Sequence, residues 1–180
     1  MTVPPSLHDI HSTPAAAALP GRADLLRILG LTGPDDELDA LAARLAADAD
    51  VPYAMVNAFG DEQHFVGLHA IQGPGLPDVG RSMALDHGWC PEVVRRRLPL
   101  VLPDVFASPR FAGNPVVDAI GIRTYAGAPV IFNGTVLGTV CFVGPQPRHL
   151  STGNAALDLI KTHRDELLGL LHHRARHPAT

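Results

Sequence analysis

Two cysteines, Cys90 and Cys141, are all that the 180 residues contain. The two do not form a zinc-type motif, which needs paired Cys or His ligands on both sides of the ion. Lysine occurs once, at Lys161, among 14 basic residues, and the sole basic run is Arg95-Arg96-Arg97. With a formal net charge of -4, a nucleic acid is excluded as the main partner; three arginines in a row read as a solvated helix end. No stretch approaches the roughly 18 consecutive apolar residues of a membrane span. The N-terminus lacks the basic region and apolar run of a secretory signal. Together these absences point to a reducing cytoplasm with both thiols free.

What the chain does have is a hydrophobic fraction of 46%, enough for one globular domain with a sizeable core. Residues 1–21 carry four prolines and no periodicity and read as a flexible tail; His8 and His11 within it stand three apart. Arg22 to Leu29 reads as a short helix stopped by Gly30. Pro34-Asp35-Asp36-Glu37 starts a longer one, with proline in the first turn and acids against the positive end of the helix dipole. Leu38, Leu41, Ala42, Leu45 and Ala49 give it an apolar stripe, and Pro52 ends it. Tyr53–Phe59 and Gln63–Leu68 pair as a hairpin, and 72–80 is loop. Trp89–Arg97 is a short helix and Leu100–Leu102 a short strand. Asn133-Gly134 marks a second hairpin between 123–132 and 135–143. A final helix follows Ser151 or Thr152, with Leu157, Ile160, Leu167 and Leu171 close to a coiled-coil seam that Arg164 interrupts. The order predicts an α+β fold around an antiparallel sheet of five or six strands. Between 109 and 121 lies a Gly- and Pro-marked loop, unusual in a compact domain unless it holds something.

The segments LDALAARLAADADVPYAMVNAFGDEQHFVG, GWC, PLVLPDVFASPRFAGNPVV, GIRTYAGAPVIFNGTVLGTVCFV and PRHLS, in this order and spacing, resemble a GAF domain, here a stand-alone bacterial one. The resemblance spans residues 22–174, leaving 175–180 as a C-terminal tail. It implies a six-stranded antiparallel sheet, helices packed on one face and a ligand cavity roofed by loops on the other. The 106–121 segment is then the roof. The resemblance further implies a small-molecule sensor or regulatory module acting in trans on a signalling or transcriptional partner, and a homodimer through the terminal helices. The alternative is an enzyme, haem or redox protein on the same scaffold, using Cys90 or His87.

Seven residues are candidate ligand contacts: His87, Trp89 and Cys90 at the side, Phe111 and Asn114 in the roof, and Arg123 and Tyr125 on the strand beneath. Aromatic walls with a few polar groups are the usual make-up of such sites. Arg123 is read either as a clamp on an anionic ligand or as a structural partner of Asp104. Cys90, at a helix start, is a core thiol or a redox sensor; Cys141, in an apolar strand, reads as an inert one. Covalent bilin is not expected, because no cysteine stands in Ala112-Gly113-Asn114-Pro115. Methionine sulfoxide reduction is not expected either, because no Cys lies between Pro91 and Val140. Haem is left to His87, since His64 and His69 read as outward-facing. The ligand's identity stays open. Gly127 and Gly138, inside strands, mark bulges or close approaches.

Overall fold

The computed structural model describes residues 20–178. The expected N-terminal tail, with His8 and His11, lies outside the described residues but for 20 and 21.

Six strands form one antiparallel sheet: β1 (Tyr53–Phe59), β2 (Gln63–Ala70), β3 (Ser82–Met83), β4 (Leu100–Leu102), β5 (Thr124–Phe132) and β6 (Thr135–Gly144), in the order β3-β2-β1-β6-β5-β4. Helices α1 (Arg22–Ile28), α2 (Asp36–Ala49) and α6 (Gly153–Arg176) cover one face; α3 (Cys90–Arg96), α4 (Pro109–Ala112) and α5 (Pro115–Ile120) lie with the loops on the other. The expected fold class holds. β3, two residues long, went unread because a pair of residues carries no alternation.

Period-2 alternation splits the core. Ala54, Val56 and Ala58 of β1 join the helical layer; Tyr53, Met55 and Phe59 join the second cluster. Every residue of β1 is buried, which is why it reads as a continuous apolar run. The β5–β6 hairpin turns at Asn133 (φ 46°) and Gly134 (φ 79°), both left-handed, as the two-residue turn requires.

On the helical face, the Asp35 carboxylate accepts hydrogen bonds from the Glu37 and Leu38 amides at 3.0 and 3.1 Å, capping α2. The helix lies directly on β2: a Cβ added at Gly67 would sit 2.6 Å from the Leu38 carbonyl oxygen. Along α6, Ile160, Leu167 and Leu171 are fully enclosed in the chain's own core. The seam expected for pairing between copies is thus occupied within one chain. Between Ile160 and Leu167 the inward position is taken by His163, which bonds Asp48 of α2 at 2.9 Å, while Arg164 points away to Asp165. Arg44–Glu166 and Arg174–Asp35 pairs tie the same two helices. α6 also runs on to Arg176, into the segment expected to be tail.

The 109–121 segment is more helical than expected. Asn114 caps α5, its Oδ1 accepting from the Val116 amide at 3.3 Å, with Pro115 at the first helical position and Gly121 closing it at φ 66°. Helices of four and six residues are too short to show a 3.6-residue stripe, so the segment read as loop.

Candidate functional site

Beneath this roof lies a cavity of about 70 Å³. Its floor is the odd-numbered side of the sheet: Met55 from β1, Tyr125 from β5, and Cys141 and Val143 from β6. Its walls are Phe65, Met83, Trp89 and Cys90, and its roof is Val79, Val116 and Ile120. The side-chain heteroatoms in this lining are the four sulfurs of Met55, Met83, Cys90 and Cys141, the Tyr125 hydroxyl and the Trp89 indole N–H, which is turned to the Phe111 carbonyl at 3.3 Å.

Gly127 makes the Tyr125 position possible. A Cβ there would fall 2.0 Å from the Tyr125 hydroxyl and 2.7 Å from Cζ, so the phenol lies across the bare glycine. Trp89 packs against the other side, with ring centroids 5.3 Å apart and tilted 49°, a favoured aromatic geometry. The hydroxyl then reaches Cys90 Sγ at 3.3 Å. Gly138 is the second close approach: a Cβ there would strike the Asn57 carbonyl oxygen at 1.8 Å.

Cys90 and Cys141 are both buried and unbridged, with sulfurs 3.6 Å apart. The bond between the two thiols, helped by the Tyr125 hydroxyl, outweighs burial and brings the Cys90 thiol down to about 7. That same bond, together with burial, holds the Cys141 thiol well above its ordinary value. Burial likewise keeps the Tyr125 phenol well above its own. Asn57 Oδ1 and Thr139 Oγ1 are buried without a hydrogen-bond partner, so the site holds unused polar capacity next to the thiols.

Of the seven candidate contacts, the structure brings Trp89, Cys90 and Tyr125 together in the cavity wall. Phe111 and Asn114 hold the roof from outside it. The Phe111 carbonyl takes the Trp89 indole N–H, while Asn114 bonds both backbone groups of Gly88, accepting at 3.0 Å and donating at 2.7 Å. His87 contributes its carbonyl, which accepts from Gln63 Nε2 at 2.7 Å; its imidazole is not in the cavity lining. Arg123 lies away from the cavity, in a forked pair with Asp104 (both contacts 3.1 Å) and over the Phe106 ring at 4.3 Å. Gln63, fully buried, was not anticipated: it clamps the Ala84 and His87 carbonyls at 2.7 Å each and accepts from Asn57. A strand-start glutamine gives no hint of this in sequence. Met55, Met83, Val116 and Ile120 were missed because apolar residues that pack a core and those that line a void look alike.

The sequence model for the GAF domain matches residues 33–171. The chain belongs to the GAF domain family. GAF domains are ligand-binding sensor and regulatory modules. Among solved structures, the phycocyanobilin-bound GAF domain of a cyanobacterial phytochrome is similar at 14% identity and TM-score 0.64, over 89% of this chain and 99% of that one. The GAF domain of an Acinetobacter phosphoenolpyruvate-protein phosphotransferase is similar at 19% identity and TM-score 0.58, over 86% of this chain and 95% of that one. The free methionine-R-sulfoxide reductase of Neisseria meningitidis, solved with its substrate, is similar at 14% and 0.56, over 83% and 88%. At these identities the likeness is one of fold. No curated protein matches the chain in sequence. Among the described residues no helix is long and apolar enough to cross a membrane.

Proposed function

We propose that this GAF domain is a sensor module that takes a small, largely apolar molecule into the cavity and passes its occupancy through the roof to a protein partner in trans. The observation that carries this reading is the apolar cavity bounded by Trp89, Tyr125 and the α5 residues Val116 and Ile120. Its 70 Å³ lies well below the roughly 300–1,000 Å³ of pockets for drug-sized ligands. A haem or a bilin does not fit this space, and His87 presents no imidazole to it. A ligand of a few heavy atoms fits as the cavity stands, and a larger one has to lift α4 and α5. For the larger ligand, entry and roof movement are one event, which is what a sensor requires. A homodimer on the terminal helices has to use their outward faces, since Ile160, Leu167 and Leu171 are enclosed.

Trp89 is the chain's single tryptophan and stands in the cavity wall, so its fluorescence reports occupancy. Native mass spectrometry of the purified protein, followed by fluorescence titration with the released molecule, tests the reading. Ile120→Trp, which fills the space from the roof, abolishes the titration while circular dichroism stays unchanged. A ligand that binds equally well to Ile120→Trp refutes the cavity as its site.

A further inference from the structure

Three sulfurs meet on the cavity floor. Met55 and Cys141 face each other across the β1–β6 register, and Cys90 reaches in from the first residue of α3. Cys141 Sγ lies 3.6 Å from Cys90 Sγ and 3.9 Å from Met55 Sδ. All three residues line the cavity, and all three are at most 5% exposed. We propose that Cys90, Cys141 and Met55 form a three-sulfur site for a soft monovalent metal ion, copper(I).

The spacing suits the ion. Three sulfurs in a plane, each about 2.3 Å from a central metal, stand roughly 4.0 Å apart. Cys141 stands 3.6 Å from Cys90 and 3.9 Å from Met55, close to this spacing on both sides. The donor set selects the ion: thiolate and thioether sulfurs favour copper(I), whereas calcium and magnesium take oxygen ligands. Structural zinc takes four ligands, and the group that completes this cluster is a neutral phenol, Tyr125, 3.3 Å from Cys90 Sγ. A metal takes cysteine sulfurs as thiolates, so the protons they hold leave as the ion enters. Thr139 Oγ1 and Asn57 Oδ1 are buried without a hydrogen-bond partner.

The site is tested on the full chain, reduced and oxygen-free, with copper(I) alone as the probe against a chromophoric copper(I) chelator. The expected result is one ion per chain, sulfur-to-copper charge-transfer absorption in the near ultraviolet, and a sulfur-only shell by X-ray absorption. Cys90→Ser and Cys141→Ser each weaken binding beyond the roughly 10–100-fold lost when a ligand's hydrogen-bonding neighbour is removed. Met55→Leu weakens it while keeping one ion per chain. In wild type, copper(I) protects both thiols from alkylation and an equal concentration of zinc does not, a readout that stands even where a serine variant fails to fold. The proposal is overturned by wild-type protein that loses the competition without retaining an ion. It is equally overturned by folded serine variants that keep wild-type affinity, or by bound copper(I) that leaves both thiols open to alkylation. Because the probe is the metal alone, these outcomes are independent of whether an organic ligand enters the cavity.

Discussion

Replacing Gly127 by alanine tests how the cavity wall is built. The new Cβ would meet the Tyr125 hydroxyl at 2.0 Å, Cζ at 2.7 Å and Cε1 at 3.2 Å, so the phenol has to leave. It cannot swing freely, because the residue is 2% exposed and packed against Trp89. Overpacking of this kind costs about 1–3 kcal/mol, and losing the hydroxyl's bond to Cys90 adds about 0.5–1.5 kcal/mol. Alanine's advantage over glycine within a strand returns about 0.5–1 kcal/mol. The net is a loss of about 0.5–4 kcal/mol, or a fall in Tm of about 1–16 °C for a chain of this size. In a Tyr125→Leu background the ring is gone and only alanine's advantage remains, so the same substitution becomes mildly stabilising. The cycle of two single variants and the double variant, followed by urea unfolding with Trp89 fluorescence, isolates this coupling of about 1.5–4.5 kcal/mol. A Gly127→Ala protein that melts at or above wild type, in the presence of Tyr125, would show that the phenol does not lie across this glycine.

The remaining predictions concern the roof, the arginine and acid. Asn114→Ala removes three bonds that tie the roof to Gly88 and cap α5; it costs about 1–2 kcal/mol and speeds amide exchange in α5 while the β5 and β6 amides stay protected. Arg123→Ala breaks the pair with Asp104, costs about 1 kcal/mol after solvent screening, and leaves Trp89 titrations unchanged; a weakened titration in a folded variant would return Arg123 to the site. Asp39 is pushed up by burial, but the forked Arg81 bond and the Leu68 amide outweigh this and hold its carboxyl below the ordinary value. A depressed carboxyl stabilises the fold above its unfolded pKa and loses that contribution as pH falls through the folded one. The stability gap between wild type and Asp39→Asn is therefore constant from neutral pH down to about 5 and shrinks below about pH 4, near the unfolded aspartate value; urea midpoints across that range measure it, and a gap that widens on acidification contradicts the sign.

Local chemistry made most of the fold readable. Asp35 before an apolar stripe, Pro52 after it and Asn133-Gly134 between two alternating runs each fix one conformation with little help from the rest of the chain. What escaped depends on partners far away in sequence. β3 exists because Ser82 and Met83 meet His64 and Gln63. The α6 stripe was legible as apolar, but its partner was not: the same spacing suits a second copy or the chain's own sheet, and Phe132, Phe142 and the α2 leucines decide for the sheet.

The candidate site divides along the same line. Trp89, Cys90 and Tyr125 were readable because aromatic and thiol side chains are scarce here, and each sits beside a glycine or a helix start that orients it. Arg123 looked the most chemical of the seven, yet a charge one strand residue from Asp104's loop finds a carboxylate before it finds a cavity, and pairing there satisfies both groups without burying either deeply. Cys141 looked inert because its strand neighbours are apolar. Those neighbours alternate, however: Val140 and Phe142 turn to the helices while Cys141 and Val143 turn to the cavity. The register that puts Cys141 opposite Met55, and the α3 start that lowers Cys90 onto it, are long-range facts. Two cysteines 51 residues apart become a pair only when a sheet and a helix close over the same space, so the part of the site with the most chemistry is the part that sequence spacing alone does not reveal.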